Sequence, residues 1–204
     1  MDKKLTIINI VLVLLAIFLG YLVYNSISQP LVFENTKRER ETKVVQNLKD
    51  IRSSQDLFKD YYNRYTANFD SLIEFIKVGE LPLINIVKDP NDTTDTKTIN
   101  DTVGFVKVMD SLFKDRTNFN VEALRYIPFS EPQQEFEIQA GYIMRGGMNG
   151  PVFEVKAHYN TYLNGLDKQR IRNESALRED LDKYPGVKVG SMSEPSTDGN
   201  WENL

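Results

Sequence analysis

Few residues in this chain are equipped for chemistry. His158 is the only histidine and there is no cysteine. Disulfides, thiolate metal sites, Cys nucleophiles and a lipidated N-terminal Cys are therefore excluded, and Cys/His pairs and multi-histidine zinc sites go with them. A lone histidine following a strand reads as structural. Glu135 and Glu137 share one face of a strand; a glycosidase uses such a carboxylate pair, but it also needs an aromatic-lined cleft, and a surface charge ladder has the same spacing. Asp89, Asn91, Asp92, Asp95 and Asp101 offer oxygen ligands of the kind calcium takes, in a loop without the Gly and Glu of a calcium-binding hand. Arg145-Gly146-Gly147 lacks the lysine and serine of a phosphate loop and reads as a hairpin connection. The triplets at Asn91, Asn100 and Asn173 match a glycosylation sequon, a pattern common by chance. The sequence thus assigns no catalytic residue, no metal ligand and no cofactor.

The elements that must position these residues begin with an anchor. Leu5–Val23 is 19 residues without a charge; as a helix it spans roughly 28 Å, close to the hydrocarbon thickness of a bilayer. Tyr21 and Tyr24 stand at its far end, as interfacial aromatics do. The run is longer than the apolar core of a cleaved signal, so it is expected to stay in the mature chain. Lys3 and Lys4 flank it on one side and Lys37, Arg38, Arg40 and Lys43 on the other. The immediate flank sets the expectation: N-terminus in the cytoplasm, domain outside the inner membrane, in the periplasm. Beyond residue 29 the chain carries net charge −5, which argues against a nucleic-acid partner.

Pro30 predicts a break near Gln29-Pro30. Val44, Leu48, Ile51, Gln55, Phe58 and Tyr62 then recur at helical spacing, opposite a polar face of Lys49, Asp50, Arg52, Ser53, Asp56 and Lys59. Two readings of this stripe stay open: a helix packed on its own domain, or a coiled-coil seam in which Val44, Leu48, Ile51 and Phe58 meet a partner helix. Asn68 is placed to cap a second helix over Phe69–Val78, stopped by Gly79. Strands are expected at Leu81–Val87, Val103–Met109, around Phe136, Ile138 and Ala140, and at Val152–Val155, with a glycine-rich hairpin between the last two. A polar loop is expected over 89–102, a helical turn at Val121–Leu124, a helix over Leu166–Tyr184 with Ile171, Leu177 and Leu181 inward, and a short strand at Val187–Val189. Trp201 either packs back on the domain or docks on a neighbour. The fold class is α+β: an N-terminal transmembrane helix, a long amphipathic helix, and a small antiparallel sheet with packed helices. The expected divisions are an anchor (1–29), a helical stalk (30–66), an extracytoplasmic domain (67–190) and a polar tail (191–204).

The apolar helix, the proline near its exit, and Leu48–Leu72 (LKDIRSSQDLFKDYYNRYTANFDSL), a helix ending in a tyrosine-rich turn before a second helix, resemble type IV pilins and type II secretion pseudopilins over residues 5–80. Asn9 stands where those families carry a glutamate near the start of the run. The uncleaved anchor, the amphipathic helix and the strand–strand–helix–strand order from Phe136 to Val189 resemble the bitopic assembly-platform proteins of pilus and secretion machines. YPGVKVGS and DGNWE are similar to an uncharacterised family of Bacteroidota envelope proteins. These resemblances imply a non-enzymatic structural subunit of a secretion or pilus-like envelope assembly, whose partners are membrane lipid and other envelope proteins or a second copy. The alternatives are a membrane-tethered ligand- or calcium-binding module using the 89–102 loop or the glycine hairpin, and, less favoured, an envelope hydrolase.

Overall fold

The computed structural model describes residues 3–88, 98–116 and 119–202. It is a mixed helical and antiparallel-sheet structure built on one long helix, α1, Lys3–Tyr62. From Ile7 to Tyr24 the large apolar side chains of α1 are 46–71 % exposed on every side. From Phe33 onward one face is fully covered: Phe33, Val44, Leu48, Ile51 and Phe58 are at most 5 % exposed. The expected break at Pro30 does not occur; Pro30 lies inside the helix. Its ring removes the single bond its N–H would make to the Ser26 carbonyl, and the turns on either side keep theirs. Asn63 ends the helix in the left-handed conformation (φ 55), its N–H closing on the Lys59 carbonyl at 2.7 Å, a role asparagine tolerates.

The chain then doubles back. α2, Phe69–Val78, has the expected bounds, with Asn68 Oδ1 accepting from the Asp70 and Ser71 amides and Gly79 following. Gln55, an interruption in the apolar stripe, is the clasp of this turn. Its side chain is buried, donates to the Thr66 carbonyl at 2.6 Å and accepts from the Thr66 amide at 3.1 Å. β1 (Glu80–Lys88) and β2 (Thr98–Lys107) pair as a two-stranded antiparallel ribbon. Residues 98–102, expected in the polar loop, are thus paired backbone. The strand ends at Lys107 rather than Met109, where α3 (Val108–Phe113) begins. A 3-10 turn at Val121–Arg125 follows.

The second sheet has the order β3-β4-β5, from Glu137–Arg145, Met148–His158 and Gly186–Gly190, all antiparallel. Gly146 and Gly147 make its two-residue hairpin turn with φ of 59° and 80°, the positive pair such a turn requires. Phe153, Val155 and Ala157 of central β4 and Val187 and Val189 of β5 join α1 and α2 in one core. Between β4 and β5 lie α4 (Tyr159–Tyr162) and α5 (Lys168–Glu179). α5 is shorter than expected, and Leu177 and Leu181 are each 58 % exposed; only Ile171 and Ser175 turn inward. Asp182 reverses the chain at φ 54, with the Lys183 amide on the Arg178 carbonyl at 2.8 Å. This stop comes before Pro185-Gly186, the one visible in sequence.

Within residues 30–66, expected as a stalk, one face of the helix is the core of the head. Within residues 191–202, expected as a polar tail, residues 198–200 pair with β5. The Gly190 amide donates to Asp198 and the Asn200 amide to Lys188, each at 3.0 Å. The Asn200 side chain joins Lys188 and Gly186 at 3.0 and 2.9 Å. This covers the outer edge of β5, which would otherwise present unpaired backbone. Gly190 allows the approach: it sits at φ 75, and a Cβ there would lie 2.2 Å from the Phe153 carbonyl oxygen.

Fully burying Val44, Leu48, Ile51 and Phe58 contributes roughly 6–12 kcal/mol at ~1.5–3 kcal/mol each. That matches the net stability of an ordinary domain, about 5–15 kcal/mol, so the head cannot give this face away. Leu48→Ala in the full chain is therefore expected to lower unfolding free energy by about 2–5 kcal/mol, and Leu31→Ala, at a 60 % exposed position, by less than about 0.5. Denaturant melts followed by near-ultraviolet circular dichroism decide it; a Leu48→Ala head as stable as wild type would restore the stripe to a partner.

Candidate functional site

The four residues expected to meet a partner helix, Val44, Leu48, Ile51 and Phe58, are brought together, but in the chain's own core. A core stripe and a coiled-coil seam have the same period, and only the position of the sheet separates them. Asp50 is likewise displaced from the expected polar face. It is 5 % exposed, receives the Arg116 guanidinium through both carboxylate oxygens, and accepts from Gln46 at 3.0 Å. Glu135 pairs with Arg125 at 3.4 Å and Glu137 with Lys156 at 3.3 Å; Arg125 also meets Asp70 and Lys156 also meets Glu154, so both carboxylates belong to structural ion-pair networks. His158 Nδ1 accepts from the Asn160 amide at 3.0 Å, capping α4, and its ring meets Tyr184 edge-on. Burial lowers its pKa, opposed by Glu179. Trp201 packs partly buried against the core. Asp89, Asn91, Asp92 and Asp95 lie outside the described residues. Among the described residues no group of three or more His, Cys, Asp or Glu is placed to hold a metal ion.

Ionisable groups concentrate where α1 leaves its exposed stretch and meets α4 and α5, a grouping the spacing of residues could not reveal because it joins positions far apart in the chain. Arg40 donates to the carbonyls of Tyr162 and Asn164 at 3.1 and 2.8 Å, satisfying groups left open at the end of a short helix. One turn earlier Lys37 pairs with Glu174 of α5. Burial works against the Lys37 charge, but Glu174 outweighs it and the pKa is raised. Glu41 accepts from the Tyr162 hydroxyl at 3.5 Å; its pKa is raised because burial outweighs Lys37 and Arg178. Below this clamp Phe33, Thr36, Leu166, Asp167 and Arg170 line a cleft of about 400 Å³ that opens along α1 as far down as Ser28. The Arg170 guanidinium stands 6.0 Å from the Phe33 ring centroid. Asp167 is committed to capping α5 through the Gln169 and Arg170 amides. Geometrically this is a fastening with an apolar, cation-rimmed cleft beside it.

A second cluster fastens the sheet. Glu154 of β4 lies between Lys188 at 2.8 Å and Lys156 at 3.2 Å. Burial raises its pKa, yet the two lysines outweigh burial and leave it lowered.

The two carboxyls predict opposite pH behaviour. Glu154 titrates lower in the folded state, so its pairing stabilises above the ordinary carboxyl pKa near 4.5 and is lost as pH falls through the depressed value. Glu41 titrates higher when folded, so its ionised form costs stability above that raised value and the cost disappears as pH falls through it. Glu154→Gln should therefore lower the melting temperature at pH 7 and converge on wild type in acid, while Glu41→Gln should raise it at pH 7. Thermal melts across pH check both; a Glu41→Gln loss at pH 7 would contradict the assignment. Comparison with known proteins finds no family model that matches the chain and no curated protein or solved structure significantly similar to it.

Proposed function

We propose that this chain is a single-pass inner-membrane protein and a structural, non-enzymatic subunit of a cell-envelope assembly of secretion or pilus-like type, with its N-terminus in the cytoplasm and its head in the periplasm. The observation that carries the anchoring is the change of exposure within one helix. α1 is long and apolar enough to cross a membrane. Its apolar residues up to Tyr24 have no protein around them, whereas from Phe33 onward one face is core. A side chain such as Leu14, 61 % exposed, loses little in hydrocarbon and much in water. The unbroken backbone makes the head and the span one rod.

The structural role rests on how the paired polar groups are used. Lys37, Arg40, Asp50 and Glu154 each hold one element of the head to another, which is what a part that bears load between bilayer and partner requires. The contact surface for that partner is the β1–β2 ribbon. Leu83, Ile84, Val103 and Phe105 are 48–66 % exposed on it, and among the described residues each strand pairs only with the other. A two-stranded ribbon is marginal in water by itself, and a partner subunit adding a strand to its edge would cover it.

The cysteine-free chain makes a clean topology test. A membrane-impermeant maleimide on intact spheroplasts is expected to modify the Lys183→Cys variant and spare the Asp2→Cys variant until lysis, with both resisting carbonate extraction. Protection of the Lys183→Cys thiol before lysis inverts the topology, and extraction removes the anchor. Replacing Val103 and Phe105 together by Asp is expected to shift the chain from a discrete complex to monomer on a mild-detergent native gel, at an unchanged melting temperature. A complex that survives both substitutions, or a wild-type chain that runs as monomer, sinks the ribbon as partner surface.

A further inference from the structure

We infer that the cleft between α1 and the start of α5 is a binding site for an anionic glycerophospholipid of the bilayer that α1 crosses. The inference rests on the anchoring proposed above and adds to it a ligand class and a site. Its basis is the level at which the cleft lies. Because α1 is unbroken through Pro30, distance along the axis follows residue number. Ser28, at the lower end of the cleft, stands about 7 Å beyond Val23. The headgroup layer adds roughly 5–8 Å to each side of the hydrocarbon, so the cleft opens into that layer. The residues between the last charge before the span, Lys4, and the next, Glu34, are all uncharged. As one helix they reach about 43 Å, the thickness of a bilayer with its headgroups, which seats the head on the membrane surface.

The chemistry of the cleft suits a phospholipid. Leu31 and Val32 are 60 % and 65 % exposed and belong to the same uncharged stretch that ends at Phe33, offering apolar surface at the mouth of the cleft beside the headgroup layer. Arg170 sits at the opposite wall, its guanidinium beside the Phe33 ring, able to receive a phosphate through two N–H groups. Across the thin wall formed by Gly165 and Leu166, a second depression is lined by Lys168 and Arg172. From Gly165 to Asn173 these three cations face one carboxylate, Asp167, whose Oδ1 accepts two amides and whose Oδ2 stands 4.0 Å from Arg170 Nε, leaving the two terminal nitrogens of that guanidinium for a phosphate. Glu34 and Glu174 are the other acids nearby, and Glu174 is held by Lys37. The local balance is positive in a chain whose net charge is −4, so the cationic side of the head is turned toward the membrane.

The full-length chain purified in detergent, incubated with phosphatidylglycerol or phosphatidylcholine and examined by native mass spectrometry, tests the site. Wild type is expected to retain phosphatidylglycerol over phosphatidylcholine. Arg170→Gln should reduce that retention about fivefold, the effect of one basic residue at an anionic surface, and Arg38→Gln, on an exposed part of α1, should not. Lys168→Gln repeats the test from an exposed position should Arg170→Gln impair folding. Equal retention of the two lipids, an equal drop in Arg38→Gln, or displacement of the lipid by millimolar inorganic phosphate would overturn the inference. Carbonate extraction of the same variants separates the two claims: an extractable chain fails as an anchored protein, and a retained chain without lipid preference fails only here.

Discussion

The buried face of α1, from Phe33 through Val44, Leu48 and Ile51 to Phe58, is the surface on which the rest of the head is assembled. α2, α3, α4 and β5 all contact this helix, and the hydrophobic core lies between it and the sheet. The same helix, without interruption, carries a stretch whose apolar side chains no other part of the protein covers. One helical backbone thus connects a protein core beyond Pro30 with a stretch of exposed apolar side chains before it that is long and apolar enough to cross a membrane. A flexible joint between them would have allowed the head to tumble; the helix instead fixes the head relative to that stretch.

That constraint explains where the polar interactions fall. A long helix that carries a head at one end can bend where the two meet, and the turns next to the exposed stretch are fastened against this. Lys37, Arg40 and Glu41 engage α4 and α5 there, and Asp50 engages Arg116 farther along. Exposed ion pairs of the kind formed by Lys77 and Glu122 add little. The half-buried ones are specific because each leaves an uncompensated group if its partner is removed. The Gln55 amide clasping Thr66 belongs to the same set: a buried polar side chain kept for the one turn it holds.

Apolar side chains of the head's strands are exposed at two places: Tyr142, Met144 and Met148 near the β3–β4 turn, and Leu83, Ile84, Val103 and Phe105 on the β1–β2 ribbon. β4 is buried along its middle, and the outer edge of β5 is paired by the C-terminal segment. The sequence pattern reads the β1–β2 part of the chain as two strands joined by a polar loop, and the structure begins the second strand earlier, at Thr98.

Local signals were enough to determine some of this protein. The apolar run, the α2 cap at Asn68 with Gly79, the Gly146-Gly147 turn and the period-3.6 stripe each depend on neighbours within a few residues, so the sequence alone specified them. The tertiary structure decided what the stripe packs against, because a core and a coiled-coil seam impose the same spacing. It decided that Pro30 is carried within a helix, since one lost hydrogen bond is small beside the packing of the turns that follow. It decided that Asp50 and Gln55 lie inside, each made tolerable by a partner at Arg116 or Thr66 that no local pattern announces. The cleft, too, was illegible in sequence. Phe33 and Arg170 meet only because the chain folds back on α1, and a contact between residues so distant is a property of the fold.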